Sequence, residues 1–247
     1  MNKKFLYEAH MHTSEASACS HIKGADAADF YKALGYTGII ITDHFFNGNC
    51  AVPRDLPWEE RVERFVKGYE NAKKRGDEIG LDVFFGWEYC HGGSEILTYG
   101  LDKEWLLANP DVCSWSVNEY CRRAHEAGAF LSQAHPFREA QWVPFLRLFP
   151  RLTDAAEVYN CTVNKTPKDS ELSNFYASHY GLHRTAGSDF HAFRESRFCA
   201  NAFGHKLASV KDYAESVLAD ENEIVEDALS YLGTADCEAV KRLRGEI

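Results

Sequence analysis

In Gly38-Ile39-Ile40-Ile41-Thr42-Asp43-His44 an unbroken apolar run ends in a carboxylate and an imidazole. Consecutive isoleucines fit a strand buried on both faces, as in a parallel sheet covered by helices. The same junction recurs in both directions along the chain. Phe5–Ala9 reads as a strand running into His10-Met11-His12, and Val83-Phe84-Phe85-Gly86-Trp87 ends at Glu88. Phe130-Leu131-Ser132-Gln133 leads into Ala134-His135-Pro136, and Thr185-Ala186-Gly187 precedes Ser188-Asp189-Phe190-His191. A lone His-x-His pair is common in loops, but imidazole or carboxylate groups at the ends of five strands are hard to explain as packing.

Helical periodicity fills the intervals. Ala25–Leu34, closed by Gly35, carries Ala28, Phe30, Tyr31 and Leu34 on one face. A long helix is expected over Trp58–Ile79, with Val62, Phe65, Val66, Tyr69 and Ala72 apolar and Glu59, Glu60, Arg64, Lys73 and Lys74 on the wet side. Further helices are expected at Val117–Ala127 and Glu171–Tyr180, and helices should dominate from Val210 onward. Strands are expected at Asp82–Trp87, Ile96–Tyr99, Ala129–Gln133, Ala155–Tyr159 and His183–Ala186. Strands alternating with helices imply an α/β fold with a largely parallel sheet, and their number suits a barrel. No Pro/Gly/Ser linker divides residues 1–247, so a single domain is expected.

The chain has a formal net charge of −10, 45% hydrophobic and 26% charged residues. That balance suits a globular protein with a sizeable core and disfavours a nucleic-acid backbone as partner. No run reaches the roughly 18–20 apolar residues of a membrane span. The eight cysteines (Cys19, Cys50, Cys90, Cys113, Cys121, Cys161, Cys199 and Cys237) form no C-x-x-C pair. They are expected as reduced thiols, mostly in the core, in a cytoplasmic protein.

In a parallel barrel the carboxyl ends of the strands converge on one mouth, where active sites lie. Mixed imidazole and carboxylate ligands suit Zn, Mn or Fe. More than four candidates converge, so at least two ions are expected, with Glu88 suited to bridge them. Such ions activate water and neutralise phosphoryl charge. The pattern therefore points to a metal-dependent hydrolase. Asp43 is expected as a catalytic-site carboxylate steering His44 or another ligand. Arg138, just after His135-Pro136-Phe137, is the expected anion anchor, with Arg194 and Arg197 next and Lys165 and Lys168 weaker. His91 is a minor candidate, whereas His125, His179, His183 and His205 lack a partner motif and read as structural. Phe45, Phe46, Trp87 and Tyr159 read as core or rim.

These motifs together resemble the PHP (polymerase and histidinol phosphatase) family, whose signatures are H-x-H-T, T-D-H, a strand-end Glu, A-H-P and G-S-D-x-H. Here they stand as His10-Met11-His12-Thr13, Thr42-Asp43-His44, Glu88, Ala134-His135-Pro136 and Gly187-Ser188-Asp189-Phe190-His191, in family order. The resemblance implies a distorted (β/α)7 TIM-like barrel, two or three divalent ions and phosphoester hydrolysis. It assigns His10, His12, Glu88, His135 and Asp189 to the main ions, and His44 and His191 to a third.

Two positions depart from the family pattern. The third-site ligand after H-x-H-T is replaced within Ser14-Glu15-Ala16-Ser17-Ala18-Cys19-Ser20-His21, where Glu15 is the preferred substitute and His21 its rival. Glu95 stands where many relatives place a histidine, which hardens the site toward Mn, Fe or Mg. The expected substrate is a small phosphorylated metabolite or nucleotide. Two alternatives are an amidohydrolase-like C–N hydrolase and a non-catalytic metal-binding module. The former usually bridges its metals with a carboxylated lysine, where this chain has Glu88. The loops Phe45–Pro57, Ala140–Pro150 and Cys161–Asp169 are expected to shape the pocket.

Overall fold

Ile39, Ile40 and Ile41 are at most 1% exposed, as the isoleucine run requires. They form β2 (Gly38–Ile41), flanked on one side by β1 (Phe5–Glu8) and on the other by β3 (Asp82–His91), both parallel to it. The computed structural model describes residues 4–163, 167–193, 197–235 and 237–243. Two basic candidates, Lys165 and Arg194, lie outside the described residues.

The remaining strands are β4 (Ser94–Tyr99), β5 (Phe130–Ala134), β6 (Ala155–Asn160), β7 (His183–Gly187), β8 (Ala200–Phe203) and β9 (Glu223–Val225). The helices are α1 (Gly24–Leu34), α2 (Trp58–Phe65), α3 (Lys67–Ile79), α4 (Lys103–Ala108), α5 (Val117–Glu126), α6 (Pro167–Tyr180), α7 (Val210–Leu218), α8 (Ala228–Leu232) and α9 (Glu238–Leu243). Among the described residues the strands make one nine-stranded sheet, ordered β7-β6-β5-β4-β3-β2-β1-β8-β9. The sheet curls into a nearly closed barrel. Tyr7, Ile40, Leu97, Tyr99, Phe130, Ala155 and Phe203, from six strands, meet Tyr213 of α7 in one interior cluster.

Closure uses side chains where the ladder stops. Asn201 of β8 accepts from Ala186 N at 3.1 Å and donates to Ala186 O at 2.8 Å, imitating a strand pair. Asn222 adds a bond to Arg184 O at 2.9 Å. At the mouth, His12 N donates to Phe190 O and Asp189 N to His10 O, so the ends of β1 and β7 are joined directly.

Four expectations need correction. β4 runs antiparallel to both β3 and β5, and β8 and β9 are also antiparallel, so the sheet departs from an alternating (β/α)7 repeat. The hairpin turn at Gly92 and Gly93 reverses the chain before a crossover helix can form. The long helix over Trp58–Ile79 is broken at Val66 into α2 and α3. The second segment presses against α1 through paired glycines: a Cβ on Gly24 would lie 2.0 Å from Gly68 O. Finally, two short strands, β8 and β9, lie where loop and helix were expected. No helix among the described residues is long and apolar enough to cross a membrane. All eight cysteines are free, but only Cys121, Cys161 and Cys199 are buried, so the expectation of mostly core thiols does not hold.

Candidate metal centre

His10 and His12 leave β1 between two other motif segments. Thr42 N donates to Met11 O on one side, and the Asp189–Phe190 backbone pairs on the other. This close assembly explains Gly187. A Cβ there would stand 2.2 Å from His10 Cβ and 2.5 Å from Glu157 Oε1, so only glycine fits. His135 (φ 26°) and Asp189 (φ 54°) both adopt left-handed backbone. Non-glycine residues adopt that region at a cost of about 1–3 kcal/mol, sustained when surrounding packing demands it.

The strand-end side chains converge as expected. His10 Nε2 lies 3.1 Å from Glu88 Oε1, 3.6 Å from Asp189 Oδ1 and 3.3 Å from His12 Nε2. His12 Nε2 is 3.2 Å from Asp189 Oδ1, and His135 Nε2 is 3.2 Å from Glu88 Oε1. Glu95 joins them: its oxygens are 3.7 Å from His44 Nδ1 and 3.4 Å from His135 Nε2. Because β4 is antiparallel, it is the beginning of that strand that reaches the mouth. Four overlapping groups place their donor atoms within 4.8 Å of one another: His10/His12/Asp189, His10/Glu88/His135, His44/Glu88/Glu95 and His12/His44/His191.

Side chains behind the cluster aim these donors. Glu157, 1% exposed on β6, has Oε1 2.9 Å from His10 Nδ1, and its Oε2 accepts from His135 N at 2.9 Å. A carboxylate at Nδ1 fixes that proton and turns the Nε2 lone pair into the cluster. Ser17 Oγ does the same for His12 Nδ1 at 3.2 Å, accepts from His44 N and donates to Asp43 Oδ1. Asp43 also takes both donors of Thr13 at 2.6 Å. Asp43 bonds Thr13 and Ser17 and not the His44 ring. It braces the H-x-H-T turn and acts on His12 through Ser17. Glu8, fully buried, accepts from His10 N, Ser188 N and Tyr31 Oη.

The electrostatics are those of a site built for cations. Burial opposes charge on Glu88, but His10 and His44 pull its pKa well below the usual carboxylate range. Burial likewise opposes charge on Asp189, and His10 and His12 again prevail in lowering it. Burial lowers His10, yet Glu157, Asp189 and Glu88 drive it well upward, and Glu88 does the same for His44. His12 moves the other way, lowered by burial and by the His191 and His44 imidazoles. Glu95 is raised by burial and by the Glu88 carboxylate. Burial opposes charge on His191, and Asp189 carries it up to about 9. Asp43 is pushed up to about 6 and Glu8 to about 7 by burial.

Hydrogen bonding among the side chains leaves specific atoms unsatisfied. His44 Nδ1 and Glu88 Oε2 approach to 2.7 Å, yet neither makes a hydrogen bond of acceptable geometry, and Asp189 Oδ2 also has no partner. Buried polar atoms are ordinarily paired. Unpaired N and O donors pointing into one imidazole–carboxylate cluster fit divalent cations.

The structure does not gather every candidate. Glu15 turns away from the mouth: its carboxylate accepts from Gly24 N at the start of α1 and from Asn71. His21 is exposed. Cys19, from the same loop, lines the cavity above the cluster beside His44 and His191. Arg138 stands at the mouth, 3.3 Å from Glu95 Oε2 and from His135 Nε2, with its guanidinium 5.3 Å from the Trp142 ring centre. Arg197 is not at the mouth: it donates to Cys161 O and lines a separate hollow with Tyr159 and Glu226. His91 lies on the rim against Phe149 and belongs to none of the four groups. His125, His183 and His205 pair with Asp154, Asp220 and Asp212 away from the cluster.

Above the ligands lies a cavity of about 690 Å3 lined by Cys19, His44, Asn47, Cys90, Glu95, Arg138, Trp142, Thr162, Asp189 and His191. Arg138, Trp142 and Thr162 also border a second hollow of about 780 Å3, walled by Val143, Phe145, Leu146 and Leu172.

The architecture has solved counterparts. A two-domain Bacteroides vulgatus structure containing a predicted PHP-like metal-dependent phosphoesterase matches 91% of this chain with a TM-score of 0.69 at 14% identity. The fold is PHP-like. The chain spans 65% of the length of that two-domain structure. PsfC from Pseudomonas syringae PB-5123 matches over 100% of both chains, with a TM-score of 0.62 and 17% identity. A Bifidobacterium adolescentis protein, provisionally assigned as a metal-dependent phosphoesterase, matches 75% of this chain and 87% of its own, with a TM-score of 0.55 and 16% identity. No family model and no curated protein matches the sequence.

Proposed function

We propose that the chain is a metal-dependent phosphoric ester hydrolase acting on a small phosphorylated metabolite or nucleotide. The observation that carries this reading is the buried His/Glu/Asp cluster beneath a cavity bordered by Arg138. His10, His12, Glu88, His135 and Asp189 would hold two divalent ions, with Glu95 and His44 beside them. Bound Zn, Mn or Fe would lower the pKa of a coordinated water and neutralise phosphoryl charge.

The chain's own residues do the rest. Arg138 offers a planar fork for two phosphoryl oxygens, and its stacking on Trp142 and pairing with Glu95 hold it at the rim. Glu157 and Ser17 keep His10 and His12 in the ligating tautomer. The hollow walled by Val143, Phe145, Leu146 and Leu172 would receive the organic part of the ester. An amidohydrolase-like reading is less well supported, since the strand-end residue in the cluster is Glu88 and not a lysine.

The test is a hydrolysis screen over phosphomonoesters and phosphodiesters with protein reconstituted separately with Mn, Zn and Fe. Metal-dependent turnover is expected, with label from heavy-oxygen water entering phosphate in a single turnover. A trapped phosphoenzyme, including one on Cys19, overturns the direct-water mechanism. Turnover of amides alone overturns the reaction class.

A further inference from the structure

A phosphoester with its phosphoryl group beside the ligand cluster has to lay its organic part against the wall past Arg138. Nine large apolar side chains are exposed among the described residues, and four of them, Trp142, Phe145, Leu146 and Leu172, line one hollow of about 780 Å3. Trp142 and Phe145 are each 67% exposed. Single exposed apolar residues are ordinary, whereas several around one concavity mark a place that a ligand covers. Arg138, Trp142 and Thr162 belong to both linings, so this hollow adjoins the cavity over the cluster.

The wall is built in advance. Gln133, 1% exposed on β5, donates from Nε2 to Arg147 O at 2.7 Å, and its Oε1 accepts from Phe149 N at 2.9 Å and from Tyr176 Oη at 2.8 Å. One buried amide thus ties the segment that carries Trp142, Phe145 and Leu146 to both β5 and α6. The guanidinium of Arg138 lies 5.3 Å from the Trp142 ring centre, and that of Arg147 lies 5.5 Å from the Phe145 ring centre, which holds both rings in place. Polar groups in the lining offer little to a hydroxyl-rich ligand. Arg138 pairs with Glu95, Thr162 Oγ1 gives its proton to Ser188 O at 3.0 Å, and Glu139 and Lys168 are of opposite sign. A sugar or polyol would give up hydrogen bonds to water there and find few to replace them.

We infer that the substrate is the phosphate monoester of an alcohol bearing an apolar aromatic ring, which packs among Trp142, Phe145 and Leu172. This rests on the hydrolase reading and narrows it away from sugar phosphates and nucleotides, whose polar edges the wall does not match. The reaction remains hydrolysis. A water oxygen bonds to phosphorus, the ester P–O bond breaks, and the alcohol leaves with a proton from that water.

The experiment compares kcat/KM of the full-length, Mn-reconstituted protein for ethyl phosphate, glycerol phosphate, adenosine 5′-phosphate and 2-(2-naphthyl)ethyl phosphate. All four release a primary alcohol, so differences report recognition more than bond reactivity. The naphthyl ester is expected to exceed ethyl phosphate on the order of 100-fold, the gain from burying the added ring. Leu172→Asp and Phe145→Ser should each cut that ratio about tenfold, whereas mere damage to the fold would lower both esters together and leave the ratio. Equal turnover of ethyl and naphthyl esters, or a preference for glycerol phosphate or the nucleotide, overturns the inference while the hydrolase reading stands. So does a wild-type ratio that survives in both variants. No turnover of any ester sinks both.

Discussion

Replacing Glu157 by Gln should weaken metal binding about 10- to 100-fold, or about 1.4–2.8 kcal/mol, without unfolding the protein. The carboxylate serves donors on two sides, His10 Nδ1 at 2.9 Å and His135 N at 2.9 Å, and also takes Asn160 Nδ2 at 2.9 Å. Glutamine keeps the volume but has one acceptor oxygen, so its amide NH2 must face a donor on the other side. A lost charge-assisted bond is worth about 1.5–3 kcal/mol, in the same range. One effect opposes this. Glu157 is a leading cause of the raised His10 pKa, so the substitution also weakens proton competition at His10. At alkaline pH that competition fades and the orientation loss stands alone. Zn2+ titrations against a competing chelator, run at neutral and alkaline pH beside thermal unfolding, separate the two. A folded Glu157→Gln protein with wild-type affinity at alkaline pH refutes the claim that Glu157 aims His10.

Three further outcomes are expected. Arg138→Ala should leave metal content unchanged and lower kcat/KM by about 30- to 1,000-fold, with little recovery in Arg138→Lys, as steady-state kinetics and elemental analysis will tell. Near-full activity would make Arg138 a rim residue only. Glu15→Gln should change neither metal stoichiometry nor kcat/KM, because its carboxylate serves the start of α1; loss of an ion would reverse that assignment. Metal affinity should rise from about pH 7 toward pH 9, because His191, raised to about 9, gives up its proton over that interval as His10, His44 and His135 compete for theirs. Calorimetry in buffers of different ionisation enthalpy should register protons released on binding, and a flat profile would contradict the shifts.

The gathered residues were legible because each stands where an apolar run stops, and parallel strands deliver such ends to one place. Glu157 was not legible by that rule, since it lies inside β6 and its backbone gives no sign of the mouth. Its signal was a lone carboxylate within Ala155-Ala156-Glu157-Val158, a buried strand that would reject charge without partners. Glu8 in Phe5-Leu6-Tyr7-Glu8 carries the same mark. The orientation of Glu15, preferred over His21 in that loop, was hidden because sequence distance does not tell which way a tight turn points each side chain. The bonds from Gly24 N and Asn71 show that the turn sends Glu15 outward. The direction of β4 was equally hidden, because a hydrophobic run reads alike in both senses along the sheet. Glu95 nonetheless arrives at the mouth through its pairing with Ala134.

The asparagine seam between β7 and β8 has a mechanical consequence. Elsewhere neighbouring strands share a run of backbone bonds that break cooperatively, but here the amides of Asn201 and Asn222 carry the closure. Each such bond contributes only about 0.5–1.5 kcal/mol net, so breathing of the wall should begin along this line. Amide exchange at Ala186 would then outpace that at Ile39 and Ile40. Opening would turn a ring into a ribbon with β7 as an unpaired edge. Such an edge is a template for another chain, so Asn201→Ala should promote self-association before it melts the fold.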